Sequence, residues 1–291
     1  MLTGEAEMRG GAGYGDGGMK KFYRYLSAAA IFLALPVPAY SQFTDEELSR
    51  REYWEEFLRT AEIIDSHQLD RDAGITLPWV LTLEKDGVVR KAIWKDVKGF
   101  MYGHQEHWQW EIAAYRLDKL LGLNMVPPTV ERRFWRRVGS CQLWVESRMS
   151  LREKNQNGID IPAPRLHDWH RAMCRQRTFD NLIGNVDRHQ GNYLITEDWR
   201  IILIDHSRTF RTRPEFTTKL IYCETHPSGP LIMREVPRGL YDRMLAMDEK
   251  ILKESVGKYL TSKEQHGVLA RRDLIVREID RLQEKYGNVL Y

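Results

Sequence analysis

Two apolar rhythms alternate along the chain, and the elements that they predict change character midway. Thr44 is placed to cap a helix, with Glu47 three positions on as its reciprocal partner. Leu48, Trp54, Phe57, Leu58 and Ala61 then recur on roughly one face. An Asp- and Gly-containing loop over 65–74 leads to two short runs, 77–84 and 88–95, joined at Lys85-Asp86-Gly87 as a β-hairpin. A helix is expected over 105–121, because Trp110, Ala113, Ala114, Leu117, Leu120 and Leu121 lie near one face and Gly122 ends it. Strands are expected at 126–132 and 142–146, separated by a basic turn containing Gly139. Helical spacing then dominates, with Leu166, Trp169, Met173, Phe179, Leu182 and Ile183 recurring up to Gly184. Tyr193-Leu194-Ile195, a turn at 196–199 and an apolar run at 200–204 predict a compact hairpin. From Tyr241 two amphipathic helices close the chain; the second begins near Ser262, with Gln265 as its capping-box partner, and stops at Gly287. Strands first and helices later predict an α+β class and a bilobal architecture, with an N-lobe over 42–146 and a C-lobe over 147–291.

The N-terminus follows neither rhythm. Residues 1–18 are Gly-rich and aperiodic, reading as disorder or as a start upstream of the true one at Met19. Lys20, Lys21 and Arg24 precede an apolar run over 25–37, and Ala39-Tyr40-Ser41 supply small residues at a cleavage edge. That pattern over 19–41 predicts a signal peptide, since about 13 apolar residues fall short of the roughly 20 that cross a bilayer. The mature protein is then secreted or periplasmic without a stable membrane span; an uncleaved N-terminal anchor is the alternative. Lys+Arg and Asp+Glu, at 44 and 41, nearly cancel, so charge gives no reason to expect a nucleic-acid partner. Cys141, Cys174 and Cys223 are odd in number and form no C-x-x-C pair, which argues against zinc or dithiol chemistry; one pair could bridge in an oxidising compartment.

Candidate chemistry concentrates in Asn185-Val186-Asp187-Arg188-His189-Gln190-Gly191-Asn192 and in Leu203-Ile204-Asp205. Asp187 precedes Asn192 by five positions and Asp205 by eighteen, the intervals that separate catalytic Asp, metal-binding Asn and metal-binding Asp in protein kinases. Phosphoryl transfer needs a divalent metal against the phosphates, a cation on the non-bridging oxygens and an acid that orients the attacking hydroxyl. Asp187 is the candidate base, while Asn192 and Asp205 supply the oxygen donors that Mg²⁺ or Mn²⁺ prefers. An isolated D-x-x-x-x-N is more often a turn bonded to its own backbone; Asp205 at the matching interval shifts the balance. For the cation, Ala92-Ile93-Trp94-Lys95 ends a predicted strand in the manner of a kinase V-A-I-K segment. Lys91 lies on the same strand face and competes with Lys95. Glu111, early in the next helix, is placed to pair with the lysine. No G-x-G-x-x-G precedes the first hairpin, so any phosphate-cradling loop must come from 65–76.

Larger segments carry a family likeness. Glu111-Ile112-Ala113-Ala114-Tyr115, Leu117-Asp118, Leu121-Gly122 and Val126-Pro127-Pro128 resemble the secreted Golgi kinases that phosphorylate casein-like proteins or proteoglycan xylose. Phe179-Asp180-Asn181-Leu182-Ile183-Gly184, running on to His189, resembles that family's catalytic segment, and Leu203-Ile204-Asp205 with Arg208 and Phe210 its metal-binding one. HipA-type and phosphatidylinositol kinases are more distantly similar. The resemblance implies a protein-kinase-like fold, ATP and Mg²⁺ or Mn²⁺ as cofactors, nucleotide contact by Lys95 and Glu111, catalysis by Asp187 and metal at Asp205. It implies a protein or glycan hydroxyl as acceptor. Asn192 follows the ordinary kinase pattern instead of the acidic variant of the Golgi enzymes, and their cysteine framework is largely absent. Arg208, Arg211 and Arg213, just past the metal-binding Asp, suggest an acidic acceptor. The alternatives are a non-catalytic pseudokinase and, less favoured, a metallophosphoesterase using His189 and His206, which lacks the D-x-H and G-H-x-H elements.

Overall fold

A computed structural model describes residues 43–69, 77–101 and 103–291, all within a unit spanning Pro38–Tyr291. The expected signal segment and most of the loop expected to cradle phosphate lie outside the described residues.

The first lobe is a five-stranded antiparallel sheet in the order β1-β2-β3-β7-β6: β1 (Glu62–Gln68), β2 (Trp79–Lys85), β3 (Val88–Lys95), β6 (Thr129–Phe134) and β7 (Arg137–Leu143). Asp86 and Gly87 both have positive φ, at 53° and 77°, as a two-residue type I′ hairpin turn demands, and Lys85 pairs with Val88 across it. Leu81, Leu83, Ala92 and Trp94 are buried from alternate positions of β2 and β3, packed with Phe57 and Leu58 of helix α2 (Arg51–Thr60). The helix predicted from Thr44 is divided. A short α1 (Asp45–Ser49) carries the capping box, and Arg50 interrupts it at ψ 5°. β1 continues through Gln68, where a loop was expected, pairing with β2 at the sheet's edge. β6 starts only at Thr129, because Pro127 and Pro128 have no N–H to donate to a ladder.

Between β3 and α3 (Trp108–Leu121) lies a hairpin that the apolar pattern does not reveal, β4 (Lys98–Met101) with β5 (His104–His107). The predicted helix accordingly begins three residues late. Helix α3 buries residues on several sides, and Ile112, Leu117 and Leu121 join the core of the second lobe.

That second lobe packs α5 (Leu166–Ile183) against α8 (Ser262–Tyr286), with Phe179, Leu182 and Ile183 meeting Val268, Ile275 and Ile279. A small sheet ordered β10-β9-β8 lies alongside: β8 (Met149–Ser150), β9 (Tyr193–Ile195) and β10 (Ile201–Leu203). A short α4 (Leu151–Gln156) follows β8. Three helices close the chain, not two: α6 (Arg238–Ala246), α7 (Glu249–Val256) and α8. The box that opens α8 is Thr261 with Glu264, one residue before the predicted partner; Gln265 donates instead to the Leu260 carbonyl. All three cysteines are free, so the suggested disulfide does not form. Among the described residues, no helix is long and apolar enough to cross a membrane.

Candidate active site

Lys95 is the last residue of β3, opposite Ser140 of β7. The preceding β7 residue, Gly139, lets the two backbones meet: a Cβ there would lie 2.2 Å from the Lys95 carbonyl oxygen. From this anchor the Lys95 Nζ reaches Glu111 Oε1 at 2.7 Å and Asp205 Oδ1 at 2.8 Å. Glu111 sits in the first turn of α3, and its Oε2 accepts the His206 backbone N–H at 2.9 Å. One carboxylate thus holds both the cation and the backbone next to Asp205. Lys91 is exposed, and of the two lysines it is Lys95 that meets the acids.

Burial alone would neutralise all three groups; their mutual attraction outweighs it. Glu111 and Asp205 are held below the ordinary carboxylate range by the Lys95 ammonium, and Lys95 is held above the ordinary lysine range by the two acids. Asp205 follows β10 with φ 60°, a left-handed conformation that costs a non-glycine residue about 1–2 kcal/mol. Surrounding bonds impose it. Ser207 Oγ donates to Asp205 Oδ1 at 3.2 Å, His107 N–H to the Ser207 carbonyl at 3.0 Å and Phe210 N–H to the Ile183 carbonyl.

Asp187 lies in the turn after α5. Its N–H donates to Asn185 Oδ1 at 3.1 Å, and its carbonyl accepts from Asn192 Nδ2 at 3.2 Å. The Ile204 N–H in turn donates to the Asn192 carbonyl, which brings Asn192 beside the strand leading to Asp205. Asn192 spends its Nδ2 in this way, and among the described residues neither its Oδ1 nor Asp205 Oδ2 has a hydrogen-bond partner. These are hard oxygen donors, one amide and one carboxylate, which fits Mg²⁺ or Mn²⁺ completed by phosphate oxygens and water. Among the described residues no group of three or more His, Cys, Asp or Glu side chains is arranged to hold a metal ion, as an all-protein metal cage would require.

A scan against protein-family models and a search of curated proteins find no match to the chain. Solved structures do match. Hydra Fam20 with sugar superposes with a TM-score of 0.61 at 14% identity, over 86% of this chain and 94% of that one. The Golgi casein kinase gives a TM-score of 0.58 at 17% identity, over 86% and 80% of the two chains. The same kinase with Mn/ADP bound gives 0.56 at 16% identity, over 85% and 79%. The fold is protein-kinase-like.

Within this kinase-like fold, the Lys95–Asp205 contact spans the border between the sheet lobe and the helical lobe. Several residues that organise the site were not assigned roles from sequence. The Arg188 guanidinium is fully buried and grips Asp180 through two bonds of 2.9 Å. It also donates to the Asn192 and Ile204 carbonyls at 3.1 and 2.8 Å, tying the Asp187 turn to the strand before Asp205. Its remaining contact, 3.0 Å to His206 Nε2, needs a lone pair on that nitrogen and so places the ring proton on Nδ1. Burial and the adjacent Arg188 charge hold His206 below the usual histidine range, consistent with a neutral ring. Both Asp180 and Arg188 belong to the segment that carries the family likeness, which was the available signal. His206 Nε2 is thereby committed to Arg188, His189 Nδ1 accepts from the Gly191 N–H, and among the described residues neither histidine belongs to a group arranged to hold a metal ion.

The arginine trio does not form one free basic surface. Arg208 bonds Glu106 Oε1 through Nε at 2.7 Å and approaches Asp187 Oδ2 at 3.2 Å, and Arg211 donates to the Arg208 carbonyl. Arg213 is exposed. A cavity of about 830 Å³, lined by Arg51, Trp54, Leu143 and Trp144 among others, does not include Lys95, Glu111 or Asp205.

Proposed function

We propose that the chain is a metal-dependent kinase, related to the secreted Golgi-type kinases, that moves the γ-phosphoryl group of ATP to a hydroxyl of a protein or glycan. The observation that carries this reading is the Lys95 ammonium held within 2.8 Å of both Glu111 and Asp205, one from each side of the lobe border. A lone strand-end lysine would be solvated, whereas this ammonium is fixed between Glu111 and Asp205. With Asp205 serving as a metal ligand, the Lys95–Glu111 pair would still present the ammonium to phosphate oxygens.

In this reading Lys95, aimed by Glu111, neutralises non-bridging phosphate oxygens. Asp187 accepts the hydrogen of the acceptor hydroxyl, whose oxygen bonds to the γ-phosphorus as the bond to ADP breaks. Asn192 Oδ1 and Asp205 would hold Mg²⁺ or Mn²⁺, which supplies Lewis-acid neutralisation of the triphosphate. Arg188 keeps these two oxygen donors in register. The signal-like segment over 19–41 supports action outside the cytoplasm, and the exposed Arg213 supports an acidic acceptor.

The test is to incubate the mature protein, Asp187→Ala and Asp205→Ala with labelled ATP and Mn²⁺ or Mg²⁺. Turnover in the parent protein and its loss in both variants is the expected result. Equal turnover in all three would reject the assignment, and a nucleotide-induced thermal shift without turnover would favour a non-catalytic pseudokinase.

A further inference from the structure

Glu106, near the end of β5, is 1% exposed, an environment in which an isolated carboxylate is not tolerated. Arg208 neutralises it by aiming both Nε and Nη2 at the same oxygen, Oε1. The other oxygen, Oε2, is buried without a hydrogen-bond partner among the described residues. A guanidinium whose only task was to satisfy Glu106 would bridge both oxygens, the fork-to-fork arrangement that planar geometry favours. Here it is turned away from that arrangement, and the turn brings Nη1 to 3.2 Å from Asp187 Oδ2. Among the described residues this is the one partner of the Asp187 carboxylate. Every other bond to that residue fixes its backbone and leaves the side chain free to rotate. The Asp187 side chain is more than a third exposed, so water would otherwise compete for its orientation.

The hairpin that carries Glu106 is itself fixed against the metal-side loop. The His107 N–H donates to the Ser207 carbonyl at 3.0 Å, one residue before Arg208. Glu106 and Arg208 are therefore referenced to the same short stretch of backbone that holds Asp205.

We infer that Arg208 is a positioning residue for Asp187, steered by the β4–β5 hairpin through Glu106, and that it fixes the carboxylate toward the acceptor hydroxyl. The inference rests on the kinase reading and adds to it a role for a hairpin that the sequence pattern hid. A carboxylate misplaced by about 1 Å loses on the order of a hundredfold in rate, whereas nucleotide affinity does not depend on its orientation. The Arg208 effect should thus fall on kcat and spare KM for ATP.

The experiment compares the mature protein with Arg208→Ala, Arg208→Lys, Glu106→Gln and Asp187→Ala. Each is given labelled ATP and Mn²⁺, with casein as the acceptor probe, and phosphate released to water is scored beside phosphate transferred. The expected result is a fall in kcat of about 10- to 100-fold for Arg208→Ala, with KM for ATP within about twofold of the parent. Low-millimolar guanidinium should restore part of the Arg208→Ala rate and none of the Asp187→Ala rate. Glu106→Gln should lose less than Arg208→Ala, because the guanidinium remains but is less well aimed. Arg208→Lys keeps the charge and loses the fork; it should fold, bind ATP and fall in kcat at least about tenfold, and it carries the test if the alanine variant does not fold. The inference is overturned if Arg208→Lys, and Arg208→Ala where it folds, keep kcat within about twofold of the parent while Asp187→Ala is inactive. It is also overturned if lost activity is accompanied by loss of the nucleotide-induced thermal shift and guanidinium restores nothing. Asp187→Ala as active as the parent, or a parent that turns over no ATP, would instead sink the kinase reading on which it stands.

Discussion

Replacing Lys95 with methionine removes the one cation between two acids and keeps a side chain of similar length. Glu111 is nearly buried, with its side chain 3% exposed, while that of Asp205 is 37% exposed. Removing one partner of a fully buried ion pair costs about 3–5 kcal/mol, because the remaining charge stays desolvated and unpaired. Water reaching Asp205 screens part of that cost, which leaves about 2–3 kcal/mol for Lys95→Met at neutral pH. For a domain of this size, that lowers Tm by about 4–12 °C. The pH dependence is more discriminating than the magnitude. In the parent protein the two carboxylates titrate below their unfolded values, so their contribution is present above about pH 4 and is lost as pH falls through their folded range. Lys95 titrates above its unfolded value, so its contribution is present below about pH 10.4 and is lost only as pH rises through its higher folded value. In the variant, burial and mutual repulsion raise the same two carboxylates, and stability should increase as pH falls from neutrality toward 4. Urea unfolding or thermal melts of both proteins across that range test the reasoning. A stability difference that is flat with pH, or smaller than about 1 kcal/mol near pH 7, would show that the acids do not depend on the lysine.

Asp118 is fully buried, with Oδ1 accepting the Met125 N–H at 2.8 Å, and burial pushes its pKa up to about 7. A raised acid destabilises the fold as pH climbs from about 4 toward 7, so Asp118→Asn should flatten the stability profile in that window; an unchanged slope in urea titrations would contradict this. Gly139→Ala should cost at least about 1–3 kcal/mol, since its Cβ would meet the Lys95 carbonyl and the Trp94 ring, and activity should fall with it; a melt within 2 °C or so of the parent would oppose that account. Of the three cysteines, only Cys223 is partly exposed, while burial pushes the Cys141 thiol up to about 12. A thiol reagent should therefore react promptly with one cysteine in the native protein and with all three after denaturation, and fast native reaction of two or more would refute the buried placement.

What could be read from sequence depended on whether a residue's role follows from its own element. Lys95 ends an alternating strand, Glu111 opens a periodic helix and Asp205 leaves an apolar run, so local pattern located each of them. The β4–β5 hairpin escaped because residues 98–107 show no alternation, and its buried Glu106 is acceptable only through an arginine 102 positions away. β1 escaped for a related reason: most of Glu62–Gln68 is exposed, and an edge strand can be held by backbone pairing with little apolar signature. The break at Arg50 interrupts a continuous apolar stripe that gave no cue. Arg188 and Asp180 stood in plain view, but their partnership is a tertiary fact that spacing of eight residues did not disclose.

The bond from Lys95 to Asp205 closes a loop of 110 residues. Contacts so distant along the chain form only after the entropy of closing that loop has been overcome, whereas the hydrogen bonds within α5, within α8 and across the first hairpin join residues close in sequence. A refolding chain should regain helical signal while the Lys95 ammonium has yet to meet Asp205. The Lys95–Asp205 bond should be among the last to form, and a synthesis arrested before residue 205 would leave the lysine with Glu111 as its acid partner.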